Sequence, residues 1–146
     1  MYIISRCLLG SNCKYNGGNN RCEPVIRFAR EHSCCSVCPE TAGGLKSPRP
    51  PAEFQGSRVR DRNGKDVTEA FVKGAQESWE QARSAAEQRG EPIEGAILKA
   101  NSPSCGCGSI YDGTFSGQKI PGDGCFTRVL KEQGVEHIIT EKELEE

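Results

Sequence analysis

The sequence predicts a single α/β domain over residues 1–146: a mostly parallel sheet with helices on both faces, a Rossmann-like layout, plus a small hairpin and long Gly/Pro-rich loops. Three observations support that expectation. Short apolar runs at 2–5, 34–37, 95–100 and 135–140 alternate with stretches of helical periodicity, and strands joined by helical crossovers lie parallel in one sheet. The run GAILKA at 95–100 is apolar without alternation, as a central strand covered on both faces must be. The chain, at 146 residues with 35% hydrophobic residues and 17 glycines, is long enough for one core and too short for two comfortable ones.

Taken in order, YIIS (2–5) reads as the first strand. RCEPVIRFAREH follows as a helix with Cys22, Ile26 and Ala29 on one face, and CCSV (34–37) is a weak second strand. PETAGGLKSPRPPAEFQG is too rich in Pro and Gly for regular structure and is expected to cross the surface as an extended loop, with Arg49 and Glu53 pairing to pin it. SRVRDRNGKDV predicts a hairpin turning at Asn63-Gly64, a dipeptide that tolerates the positive φ of a type I′ turn. Thr68 to Arg89 is the strongest helix: Phe71, Ala75, Trp79, Ala82 and Ala86 form an apolar stripe, and Gly90 supplies the stop. After the third strand comes a Gly-rich loop over 102–124. A helix with Phe126, Val129 and Leu130 facing inward follows it, and VEHIIT (135–140) closes the sheet. His32 is expected at a helix end and His137 on a strand surface, and the EKELEE tail as a solvated end.

Composition narrows the function. The 19 basic and 20 acidic residues are interspersed, for a net charge of −1, so neither nucleic acid nor an anionic membrane is expected as a partner. No apolar run is long enough to span a bilayer and the N-terminus lacks signal-peptide character, which predicts a cytoplasmic protein. Nine cysteines cannot all pair, and that address disfavours disulfides, so metal ligation or thiol chemistry is the expected use.

Cys7 follows the first strand, Cys38 the second and Cys105 the third. In an open parallel sheet the loops beyond the carboxyl ends meet at one edge, so three thiols distant in sequence can meet in space. Thiolates there would hold an iron–sulfur cluster, zinc or another soft metal. The alternatives stay open on spacing alone. Cys107 of CGC can replace Cys105, and a zinc site closed by Cys107 or Cys35 would make a structural or binding protein. CSVC (35–38) also has the form of a thiol redox pair. Cys22 and Cys125 read as small hydrophobes at helical positions, while Cys13 and Cys34 carry no clear role.

The ordered motifs CLLGSNCKYNGG, CPETAGGLKSPRPPAE, NGKDVTEAFVKGA, AILKANSPSCG and IYDGTFSG resemble the thiouracil desulfidase family, once catalogued as domain of unknown function 523, from Cys7 to about Gly134. Asn16 stands where that family often has Asp. The resemblance implies a [4Fe-4S] cluster held by Cys7, Cys38 and Cys105 with one iron left open. It implies Glu40 and Ser102 as catalytic residues and a small thiolated pyrimidine or related thioamide as substrate. The reaction it implies exchanges sulfur for oxygen and releases hydrogen sulfide without net electron transfer. Beside it, Tyr111 and Asp112 are candidates to stack on and hydrogen-bond a flat heterocycle, Lys99 is a possible anion contact, and Gly43, Gly44, Gly106 and Gly108 are expected to serve turns or close backbone approach near the site.

Overall fold

The fold, taken from a computed structural model, is described for residues 1–144. Four strands, β1 (Tyr2–Ser5), β2 (Cys34–Val37), β5 (Gly95–Leu98) and β8 (Ile138–Thr140), form a parallel sheet in the order β2-β1-β5-β8. Side chains alternate across it as the pleat requires. Ile3, Ala96 and Leu98 pack toward one face, and Ile4 and Ile97 toward the other. The first face is covered by α3 (Thr68–Arg89) and α4 (Cys125–Glu132), the second by α1 (Glu23–Glu31) through Val25.

The α3 stripe is buried as its spacing predicts, with Phe71 and Ala82 fully enclosed and Gly90 ending the helix at φ +64°. A buried side chain the size of Phe71 contributes about 1.5–3 kcal/mol relative to leaving it in water, so α3 is a main source of stability. Cys22 caps α1 from outside the helix and Pro24 occupies its first turn. His32 ends it, stacked on Phe28 at 3.8 Å between ring centroids. His137 is exposed one residue before β8.

Several expectations need correction. The segment 39–56 is not irregular throughout: it contains α2 (Pro39–Ala42) and β3 (Ala52–Gln55). β3 pairs antiparallel with β4 (Arg58–Asp61), so the hairpin turns at Gly56-Ser57 and not at Asn63-Gly64. Asn63-Gly64 makes a separate turn, in which only Gly64 has positive φ and the Asp61 carboxylate accepts from the N–H groups of Asn63 and Lys65 at 2.9 and 3.0 Å. A local carboxylate acceptor therefore shapes that turn in place of the type I′ geometry.

The segment 102–124 likewise holds a two-stranded ribbon, β6 (Ser109–Tyr111) and β7 (Lys119–Pro121). β5 ends at Leu98 and β8 begins at Ile138, both shorter than their apolar runs. The tail is not simply solvated. Glu141 is 4% exposed, accepts from the Ala100 N–H at 2.7 Å and pairs with Lys99 at 3.0 Å; residues 145 and 146 of the EKELEE segment lie outside the described residues.

Candidate metal and active site

The chain leaves β1 for β2 on one side and later returns to β5 on the other. β1 and β5 thus form the point where strand order reverses, and open α/β sheets place their ligand crevice beyond the carboxyl ends there. The structure has a cavity of about 550 Å³ at that point, bounded by Ser5 and Lys99 at the ends of the two strands. The Lys99 N–H donates to Ser5 Oγ at 3.0 Å, which ties the strand ends together beneath the cavity.

Three loops deliver thiols to it. Cys7 lies on a 3-10 turn, Arg6–Leu9, immediately after β1. Cys38 follows β2 and caps α2. Cys105 closes a turn in which its own N–H donates to Ser102 Oγ at 2.7 Å. Cys7, Cys38 and Cys105 all line the cavity, and so does Cys13. Burial raises the Cys7 thiol above its ordinary value, with Asn20 Nδ2 donating to its sulfur at 3.4 Å and opposing the effect. Burial pushes Cys105 up to about 12. A hydrogen bond shared by Cys13 and Cys38 lowers Cys38 and raises Cys13.

The remaining cysteines go elsewhere. Cys35 packs against the α3 core, so the two thiols of CSVC serve different places. Cys107 donates to the Ile138 carbonyl and stays outside the cavity wall. Cys22 and Cys125 are buried, and among the described residues no disulfide forms.

The donor set at the cavity is soft: four thiols from three loops, Cys7 and Cys13 after β1, Cys38 after β2 and Cys105 after β5. Among the described residues no three Cys, His, Asp or Glu side chains close around a single ion. Thiolates are the ligands that an iron–sulfur cluster takes, so the chemistry of Cys7, Cys38 and Cys105 fits that group.

Glu40, in the first turn of α2, faces the same space with both oxygens engaged. Arg49 donates to Oε1 through Nε at 3.2 Å and Nη2 at 3.0 Å, and Ser104 Oγ donates to Oε2 at 2.8 Å. Arg49 therefore pairs with Glu40 and not with Glu53, which corrects the expected pair. Glu53 instead accepts from the backbone N–H groups of Gly113 and Phe115. Ser102 Oγ lies 3.2 Å from Ser104 Oγ, so Ser102, Ser104 and Glu40 form one hydrogen-bonded chain along the cavity wall. Ser104 was not singled out in the sequence; its place in SPSC, one residue before a candidate ligand, was the available signal.

Tyr111 lines the cavity, whereas Asp112 does not. The Asp112 carboxylate accepts from Thr114 N and Oγ1, a turn role. Phe115 and Arg62, also missed, line the cavity. Lys99 reaches the wall but its charge is matched by Glu141. Asn16 accepts from the Gly18 N–H at 2.9 Å on the surface, a job that Asp performs equally well.

Comparison with known proteins bears on this site. A family model described as 2-thiouracil desulfurase matches residues 2–143. The uncharacterized protein YbbK of Bacillus subtilis (strain 168) is 39% identical over 154 residues, spanning 99% of this chain and 97% of that one. Among solved structures, the [4Fe-4S]-dependent thiouracil desulfidase TudS superposes with a TM-score of 0.82 at 39% identity, over 98% of this chain and 91% of that chain.

Proposed function

The chain belongs to the 2-thiouracil desulfurase family, and from that premise we propose that it is a [4Fe-4S]-dependent desulfidase. It converts a thiolated pyrimidine such as thiouracil, or a related thioamide, to the oxo form with release of hydrogen sulfide. The observation that carries the reading is the convergence of Cys7, Cys38 and Cys105, from three separate loops, on one cavity at the switch point of the sheet.

These three thiolates would hold the cluster, and a cluster bound by only three protein ligands supplies a soft Lewis acid for a thiocarbonyl sulfur. The overall change is C=S plus water to C=O plus hydrogen sulfide, so electrons balance without a reductant. The chain's own residues handle protons and position. Glu40, oriented by the Arg49 guanidinium, accepts a proton from the attacking water. Ser102 orients the water or the ring, and Ser104 links its hydroxyl to Glu40 Oε2, a path along which a proton can return to the departing group. Asn20 donates to the Cys7 sulfur and steadies that ligand.

The test is sulfide release from 2- and 4-thiouracil by protein purified without oxygen, with no reductant added. Activity is expected in the parent, together with near four iron and four acid-labile sulfide per chain. Its loss, with loss of cluster, is expected in Cys7→Ala, Cys38→Ala and Cys105→Ala. Full activity in any one variant removes that residue from the ligand set. Stoichiometric zinc without labile sulfide overturns the reading.

A further inference from the structure

The hairpin tip between β6 and β7, residues 112–118, carries a feature that the chemistry proposed at Cys7, Cys38 and Cys105 does not use. Phe115 lines the cavity and has φ +56°, in the left-handed region where an aromatic residue is uncommon. Contacts with β3 and with Arg62 hold the tip there. The Glu53 carboxylate, 8% exposed, accepts from the Gly113 N–H at 2.9 Å and the Phe115 N–H at 3.2 Å. Gln55 Nε2 donates to the Gly113 carbonyl at 2.9 Å, and a Cβ on Gly113 would stand 2.4 Å from the Phe54 carbonyl, so the tip lies directly on β3. Arg62 sits over the Phe115 ring, 5.4 Å from its centroid.

A strained backbone persists only where its surroundings over-determine it, and such positions concentrate where a ligand is clamped. Here the surroundings include a buried carboxylate that accepts from two N–H groups of this tip. The product of that arrangement is an aromatic ring presented to the cavity, with a second ring, Tyr111, on the same hairpin wall. Apolar bulk alone would not require a fixed ring. A planar ligand does, because stacking depends on ring orientation.

We infer that Phe115 sets the cavity's specificity for flat, conjugated heterocycles, and that Glu53 is its positioning residue. The identity of the heterocycle as a thiolated pyrimidine rests on the desulfidase reading; the preference for flatness does not. Phe115 supplies the stacking face. Glu53 acts through it, by fixing the loop backbone.

The test uses the full chain, prepared anaerobically with its cluster, and compares uracil with 5,6-dihydrouracil, which has the same polar edge on a puckered ring. The parent is expected to bind uracil more tightly. Phe115→Ala should weaken uracil binding about tenfold, the scale of one base–aromatic stack, while dihydrouracil changes by less than about twofold. KM for thiouracil should rise in parallel, with kcat little changed.

Phe115→Gly relaxes the positive φ, so its melting temperature should hold or rise while uracil binding falls as in the alanine variant. Glu53→Gln keeps an acceptor oxygen and should behave as the parent, whereas Glu53→Ala should follow Phe115→Ala. Unchanged uracil affinity in Phe115→Ala, an equal loss for both ligands, or no uracil binding by the parent overturns the inference. Uracil discrimination without sulfide release from thiouracil leaves it standing and overturns the desulfidase reading instead.

Discussion

In the proposed reaction Glu40 handles the proton of the attacking water, and its surroundings show how it is held. Arg49 is 9% exposed at the side chain and Glu40 17%, so the pair is screened by the surrounding loops and holds one geometry. Arg49 also donates through Nη2 to the Cys13 carbonyl at 2.9 Å, so the same guanidinium that orients Glu40 anchors the loop behind Cys7. A positioned acid or base contributes about 10²–10⁴-fold to rate. Glu40→Gln should therefore lower kcat for thiouracil by about 100-fold or more while iron and labile sulfide per chain stay at parental values. Ser104→Ala removes the link from Ser102 to Glu40, and kcat should fall about tenfold with KM unchanged. Parental kcat in Glu40→Gln would remove the residue from the chemistry.

At the scale of elements, the position of Glu40 and Cys38 depends on a very short helix packed on a long one. Four residues of α2 cannot sustain a helix alone, since nucleation is costly and no further turns offset it. It is held by close approach to α3: a Cβ on Gly74 would stand 1.7 Å from the Pro39 carbonyl, and one on Gly43 would stand 2.0 Å from the Ala70 carbonyl. The two glycines let the backbones touch. Gly74→Ala forces α2 outward and carries Cys38 and Glu40 with it. Overpacking of this kind costs about 1–3 kcal/mol, so the melting temperature should drop by several degrees and iron per chain should fall, with the far-UV dichroism of α3 retained. Parental melting and iron content would show that α2 adjusts without moving the site.

For the whole molecule, the parallel sheet carries the site, which is assembled from the loops beyond its strand ends. Removing the cluster by anaerobic chelation should lower the melting temperature, because a ligand bound by the folded state alone stabilises it. Hydrogen exchange should rise in the loops at 7–20, 38–51 and 99–108 while β1 and β5 stay protected; uniform exchange in both forms would contradict a preformed platform. Much of this architecture was legible in the sequence. Strands β1 and β2 and helix α3 follow from periodicity, which is written along the chain, and the motif order was enough to indicate the family. The hairpin was misplaced because β3 is defined by pairing with β4, a non-local contact that the Pro-rich composition conceals. Arg49 was assigned to Glu53, four residues away, because sequence proximity is a poor guide once a loop folds back on α2. The class of fold and the three cysteines standing just beyond strand ends could be read along the chain. That Cys105 and not Cys107 lines the cavity, that Arg49 holds Glu40, and that Phe115 reaches the same cavity came only from the folded arrangement, because each depends on which loop surfaces meet in space.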